Sequence, residues 1–579
     1  MPLPQLAGTL GLKNAAHLLR RATFGPTKAQ IDNFAGRTVA DAINTLFNNN
    51  IAQVLPNEPL DPNGNPFINT PPNPTIMDGE LQEAFKGWWI GKMLAEGLSP
   101  NQPTALHKII FFFHTHFTTI QEKVSNARFL YFQYALFREF AFDQGKTNPL
   151  RTFKELAKKI CIDNAMLVVL DGFLNVRGSV NENFAREYYE LYTIGKGLNN
   201  VYPPTNDRND YFFFTEDDVR ASARVLSGFT VDETFQTLDN VGPSRTNLPR
   251  GKANISQHDN DPKQFSPRFN NEVITPTTPP DAPTEASMLQ ELDILVDKIF
   301  AKSETHKNIC RRIYRYFVYY NITEEIDNTI INEMVNTFVA SGYRIEPVIR
   351  ELLGSVHFYE AGAGVVDDKM GGIIKSPLEL IIGTIRFFEF QLPDYQTQTE
   401  QFYKLTGGIL GFMREQGLNF LNPFDIAGYE AYFQPPLFNR YWISTNSLTR
   451  RYQFMSRLTD PAVLMDLFGM DMVTANRKYL DFFKAKYPQN ATVVTFDFLI
   501  KELSKYLFPL PTEVTEITTD RYGFFHTQFE KGVADSFGSP NPLASWNFNW
   551  NNLPEPDTLN NAITFIVNTM LQSPEYQLF

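Results

Sequence analysis

The sequence predicts an all-α protein, a large multi-helix array with long aromatic-rich loops, on three observations. Apolar residues recur at helical spacing through most of the 579 residues. Capping and stop signals bracket those runs. The stretches between them are rich in Pro and Asn and have no period, and only 230–285 looks able to carry a small β-hairpin.

Taken in order, 12–50 reads as two short helices, the first ending at Gly25-Pro26 and the second capped by Thr27. An extended Pro/Asn-rich loop follows over 51–77. Helices resume over 79–142, with Leu81, Phe85, Trp88, Trp89 and Met93 on one stripe, a helix from His107 to about Phe117, and another from Asn126 to Phe142. Shorter helices are expected at 151–160 and 163–170, then NENFAREYYELYTIG (181–195), stopped by Gly195-Lys-Gly197. Thr215, with Asp218 three residues on, caps the helix of 215–229. After the polar excursion, helices are expected across 287–390, short helices mixed with loops across 391–450, and helices again at 455–510 and 558–572. The chain thus divides into 1–78, a motif-bearing helical core at 79–230, an irregular excursion at 231–286, a helical region at 287–390 and a loop-rich helical region at 391–579, expected to make one or two compact units.

Hydrophobic residues at 43% and charged residues at 20% exclude a disordered chain. A net charge of −12 disfavours non-specific nucleic-acid or anionic-membrane binding. No window reaches the roughly 20 apolar residues of a transmembrane helix. No secretory signal is visible, so the default compartment is the cytoplasm, the alternative being export to the periplasm or cell surface with a signal-bearing partner. The two cysteines, Cys161 and Cys310, sit in helical runs and read as buried apolar residues.

Four constellations could carry chemistry. His114 and His116 flank Thr115; at a helix end both imidazoles can face one metal, whereas in mid-helix they diverge by about 200°. The ordinary alternative is one buried, hydrogen-bonded histidine and one surface histidine. Glu187 and Glu190 share a helix face with Asn183, which suits metal ligation or acid–base work, with Arg186 beside them. The alternative there is a Glu182–Arg186 pair with solvated glutamates. His258-Asp259 could complete a metal site from the excursion, although a turn explains it better. Lys375-Ser376-Pro377 is explained by Ser376 as a helix cap with Pro377 in the first turn.

Several segments together resemble the bacterial "domain of unknown function 1800" family. They are RRATFGPT (20–27), FFFHTHFTT (111–119), LDGFLNVRGSVNENFAREYYELYTIGKG (170–197), TEDDVRASARVLSGFTVD (215–232), GGIIKSPLELIIGTIRF (371–387), LNPFDIAGYEAY (421–432) and WISTNSLTRR (442–451). Tyr429 and Phe113 stand where this family often has Trp. The resemblance implies a mainly helical bacterial protein whose relatives often neighbour proteins of the phosphatase/sulfatase-like superfamily. Two functions are therefore expected. The first is a metal-dependent enzyme, hydrolytic or oxidative, holding zinc, iron or manganese through His114, His116, Glu187, His258 and Asp259, with Glu187, Glu190 and Arg186 as catalytic groups. The second is a non-catalytic scaffold or partner of a phosphatase/sulfatase-like protein or surface assembly. Reaction, substrate and oligomeric state do not follow from the sequence.

Overall fold

The computed structural model describes residues 2–48, 55, 58–69, 75–142, 150–198, 205–359, 372–487, 494–509 and 519–579. The chain is mainly helical, and its strands form two antiparallel pairs, Phe229–Thr230 with Lys252–Ala253 and Lys263–Gln264 with Val273–Ile274. Both pairs involve the polar excursion, where short side chains and prolines leave no stripe for a helix to bury. Residues 51–54, 56–57 and 70–74 of the loop expected at 51–77, and 488–493 and 510 of the helical stretch expected at 455–510, lie outside the described residues.

Local signals were read correctly where a cap fixes the start. Thr27 accepts from the Gln30 N–H at 3.2 Å while Gln30 accepts from the Thr27 N–H at 3.1 Å, opening the helix Lys28–Ala35. Thr215 and Asp218 do the same for Glu216–Val225, and Ser376 and Glu379 for Pro377–Phe387. Other expectations need correcting. The first region holds three helices, because Thr38 caps an additional one at Val39–Leu46. The 391–450 region contains a 17-residue helix, Thr399–Glu415, whose glycines hide its stripe. Two helices, Thr519–Phe537 and Pro542–Asn552, fill a stretch to which the sequence assigned no element.

A contiguous cluster of buried apolar side chains extends from Leu3 to Tyr576. Aromatic rings dominate it: Trp89 packs against Phe85, Tyr134, Phe111 and Phe420 at centroid distances of 4.9–6.5 Å. Cys161 and Cys310 are buried in it, and burial raises both thiols, that of Cys161 to about 12.

Buried cations stitch the helices through carbonyls. Arg386 donates from Nε to Gly25 O at 2.8 Å, from Nη1 to Met93 O and Glu96 O at 2.7 and 2.9 Å, and from Nη2 to Gly97 O at 3.2 Å. Met93, Glu96 and Gly97 lie at the C-terminal end of the helix Asp78–Ala95, where carbonyls lack intrahelical partners. The helix carrying Arg386 comes so close to the Gly25 turn that a Cβ on Gly25 would sit 2.3 Å from Gly383 Cα. Replacing Arg386 by Met should destabilise the protein by about 3–5 kcal/mol, because several buried acceptors lose a charged donor together. Urea unfolding followed by circular dichroism would measure this, and a loss under 1 kcal/mol would contradict the assigned role.

Candidate functional site

The most specific string of the sequence, NENFAREYYE, starts as an α-helix at Asn183–Glu187 and then widens into a π-turn at Tyr188–Tyr192. Such turns insert a residue into a helix and are frequent at functional sites. Here the wide turn sends three buried tyrosines to three different neighbours. Tyr188 donates to Ala157 O at 3.1 Å, Tyr189 bonds Ser222 Oγ, and Tyr192 reaches Ile426 O at 3.4 Å. Thr193 closes the turn by donating to Tyr188 O at 2.6 Å, and Gly195 N–H donates to Tyr189 O at 2.8 Å.

At this turn Glu187 is half-buried, and no side-chain hydrogen bond or ion pair engages it among the described residues. Burial, then the charge of Glu190, and behind it that of Asp425, push its carboxyl up to about 7 against the opposing pull of Lys196 and Arg186. Glu190 pairs with Lys196 at 2.6 Å. Asp425 arrives on the Asp425–Gly428 turn, closed by Gly428 N–H to Asp425 O at 2.9 Å. Gly428 has φ +100°, and a Cβ there would lie 2.8 Å from Thr118 Oγ1, so the turn requires glycine.

Arg312, from the helix Ser303–Phe317, completes the cluster. It is half-buried and has no hydrogen bond or ion pair among the described residues, and burial lowers its affinity for the proton to about 10. Its charge acts on both Tyr192 and His116, and the Tyr192 hydroxyl also feels Glu187 and Asp425. Tyr192 thus feels two carboxyls, Glu187 and Asp425, and one guanidinium lacking a counter-ion, with Glu190 as the third carboxyl of the site.

Other expected site residues are placed elsewhere. His114 is buried among Trp89, Phe111 and Tyr429, its Nε2 has no partner, and burial alone lowers it to about 3. His116 is buried among Phe117, Phe153 and Tyr192, and its Nε2 donates to Tyr192 O at 2.9 Å. Both rings belong to the body of the helix Leu106–His116 or its last turn, and their separate surroundings reflect the i, i+2 divergence. His107 pairs with Glu96 at 2.7 Å; burial opposes the charge on Glu96, but His107 and Lys92 hold it down to about 2.

His258 bonds the Ser227 carbonyl through Nδ1 at 2.8 Å and faces Glu291 at 3.2 Å through Nε2, with Lys263 on the other oxygen of Glu291. Asp259 accepts a fork from Arg224 at 2.7 and 3.0 Å. Arg186 makes the same kind of fork with Glu216 at 2.7 and 2.9 Å and reaches Glu182 at 3.3 Å, so its role is ion pairing that holds the helix. The structure thus does not gather His114, His116, Glu187, His258 and Asp259 at one point. Among the described residues no three His, Cys, Asp or Glu side chains form a group that could hold a metal.

Sequence reasoning singled out Glu187 and Glu190 but missed Arg312, Tyr192 and Asp425. Asp425 lay within a quoted motif; Arg312 looked like one of four arginine and lysine residues on an ordinary amphipathic helix.

This is a helical protein with a carboxyl–guanidinium site built on a π-turn. The chain belongs to the DUF1800 family, described as "Protein of unknown function", whose model matches residues 17–578. No curated protein and no solved structure matches it. None of the described helices is long and apolar enough to cross a membrane.

The raised carboxyl of Glu187 has a thermodynamic consequence. Its folded-state value lies above its unfolded one, so its contribution is full below about pH 4.5 and is lost as pH rises through about 7. Glu187→Gln, which cannot ionise, should therefore raise the melting temperature at pH 8 and leave it nearly unchanged at pH 5. Equal shifts at the two pH values would contradict the raised carboxyl.

Proposed function

We propose that this chain is an enzyme that hydrolyses a substrate carrying an anionic group, using Glu187 as its general acid–base. The observation that carries the reading is that a half-buried, unpaired Glu187 and a half-buried Arg312 without a counter-ion both act on the buried Tyr192 hydroxyl. A carboxyl poised near neutrality can both accept and return a proton at working pH. An uncompensated guanidinium in a partly desolvated site favours an anion or a developing oxyanion.

In this reading Glu187, in its ionised form, takes a proton from the attacking water and returns it to the leaving group. Asp425 and Glu190 keep its proton affinity high enough for the return step. Arg312 seats the anionic group, and the Tyr192 hydroxyl, anchored on Ile426 O, orders that side of the site. Arg186, locked to Glu216, is a positioning residue for the helix. The family as described carries no reaction, so reaction type and substrate rest on this geometry alone.

The test is turnover of a panel of chromogenic esters bearing carboxylate, phosphate or sulfate groups, with binding of the same compounds measured by calorimetry. Glu187→Gln should lower kcat by about 10²–10⁴-fold with binding retained. Arg312→Met should lower kcat/KM by about 10²–10³-fold. A wild type that neither binds nor turns over any member, or full activity in Glu187→Gln, rejects the reading. Metal content of the untagged protein is measured alongside. Stoichiometric zinc, iron or manganese, lost in both Glu187→Gln and His114→Ala, would replace this reading with a metal-dependent one.

A further inference from the structure

Beside the Asp425–Gly428 turn, and lined by Gly428 itself, lies a second feature that the Glu187 chemistry does not use. A cleft of about 570 Å³ opens between the short helix Gln121–Val124, the loop 417–431 and the turn Phe438–Trp442. This volume is within the ~300–1,000 Å³ range of small-molecule sites. Phe424 stands on its wall and is 100% exposed, the most exposed of the large apolar side chains described. Phe424 buries no area in the fold, so its ring is available to pack against a ligand held in the cleft.

The chemistry of the lining narrows the ligand. Trp442 is otherwise buried, lines the cleft, and its indole N–H has no partner among the described residues. The Tyr441 hydroxyl, the Asn419 amide and the Glu430 carboxylate also line it, with no side-chain hydrogen bond among the described residues. No Lys or Arg lines the cleft, so an anionic ligand would meet Glu122 and Glu430 without compensation. Donors (indole, amide, hydroxyl) and acceptors are mixed, and they are set among aromatic rings. A ligand that both donates and accepts, and that has an apolar C–H face, matches this lining better than a simple cation.

The walls are also braced before any ligand arrives. Asn422 donates to Glu122 Oε1 at 2.7 Å and accepts from the Glu122 N–H at 3.3 Å, while Gln121 N–H donates to Leu421 O at 2.9 Å. Tyr429, buried beneath, receives the Leu421 N–H at 2.9 Å and donates to Asn419 O at 3.1 Å. A braced cleft loses little conformational freedom on binding.

We propose that the cleft bounded by Phe424, Tyr441 and Trp442 is a binding site for a neutral saccharide, whose pyranose face stacks on Phe424 while its hydroxyls bond Asn419, Glu430 and the Trp442 indole. This site is independent of the reaction assigned to Glu187, and its test reads binding alone.

The full chain is titrated, by calorimetry and tryptophan fluorescence, with uncharged oligosaccharides of glucose, xylose, mannose and N-acetylglucosamine, and with oligolysine as the cationic control. At least one oligosaccharide should bind with a Kd below about 1 mM. Phe424→Ala should weaken it by about tenfold or more with an unchanged melting temperature, since the side chain lies outside the core. Trp442→Phe, which keeps an aromatic ring and removes the N–H, should weaken it several-fold. Binding of no oligosaccharide overturns the proposal, as does undiminished binding by Phe424→Ala, or oligolysine binding in place of the saccharides. Glu187→Gln should bind as wild type does, so failure of one proposal leaves the other standing.

Discussion

Several helix junctions depend on four buried cations whose donors are satisfied mainly by peptide carbonyls rather than by carboxylates. Arg386 collects four carbonyls from a turn and a helix end, and Arg20 donates to the carbonyls of Tyr506 and Phe508. Lys375 donates to Tyr576 O at 2.6 Å and lies over the Tyr576 ring, while Arg451 donates to Gln577 Oε1 and Lys375 O. Burial lowers the proton affinity of all four, yet the arginines stay charged because their values remain at about 9–10. Carbonyl dipoles at chain breaks thus do what carboxylates do in an ordinary ion pair, and in doing so they satisfy orphaned helix termini.

That economy gives the two carboxyl-bearing regions different characters. Where carboxylates meet arginines in forks, as in Arg186–Glu216, Arg224–Asp259 and Arg311–Asp327, the charges cancel locally and the groups act as struts. At the π-turn the cancellation is incomplete. Glu187 and Arg312 both act on Tyr192 without pairing, and Glu190 is already taken by Lys196. An unpaired carboxyl held near neutrality beside further carboxylates is the physical ground on which the acid–base proposal rests.

Much of the fold was legible because helix starts are written in short-range chemistry: Thr27, Thr215 and Ser376 announce their helices through side chains three residues apart. The Thr399–Glu415 helix was obscured by its glycines, and the π-turn by the fact that Tyr188–Tyr192 has good α-helical composition. Half of the candidate site was legible for the same reason: Glu187 and Glu190 sit on one local string. The other half was not, since Arg312 and Asp425 reach Tyr192 from well over a hundred residues away, and no spacing rule spans that distance. The surroundings of the histidines were not legible either, since residue type suggests ligation whereas His114 sits in an aromatic wall where burial disfavours its charged form.

The carbonyl stitching also has a temporal side. Arg20, in the first helix, is satisfied by carbonyls almost five hundred residues later, and Lys375 by one two hundred residues later. On a ribosome adding ~5–20 residues per second, Arg20 would wait roughly 25–100 s for its acceptors. During that interval the apolar face of the first helix, including Leu18 and Leu19, has no permanent cover from the late-made segments. The first helix can pack early against Lys28–Ala35, but the seam that Arg20 closes with Tyr506 and Phe508 forms only once the C-terminal part is made, so the two ends of the chain are joined last.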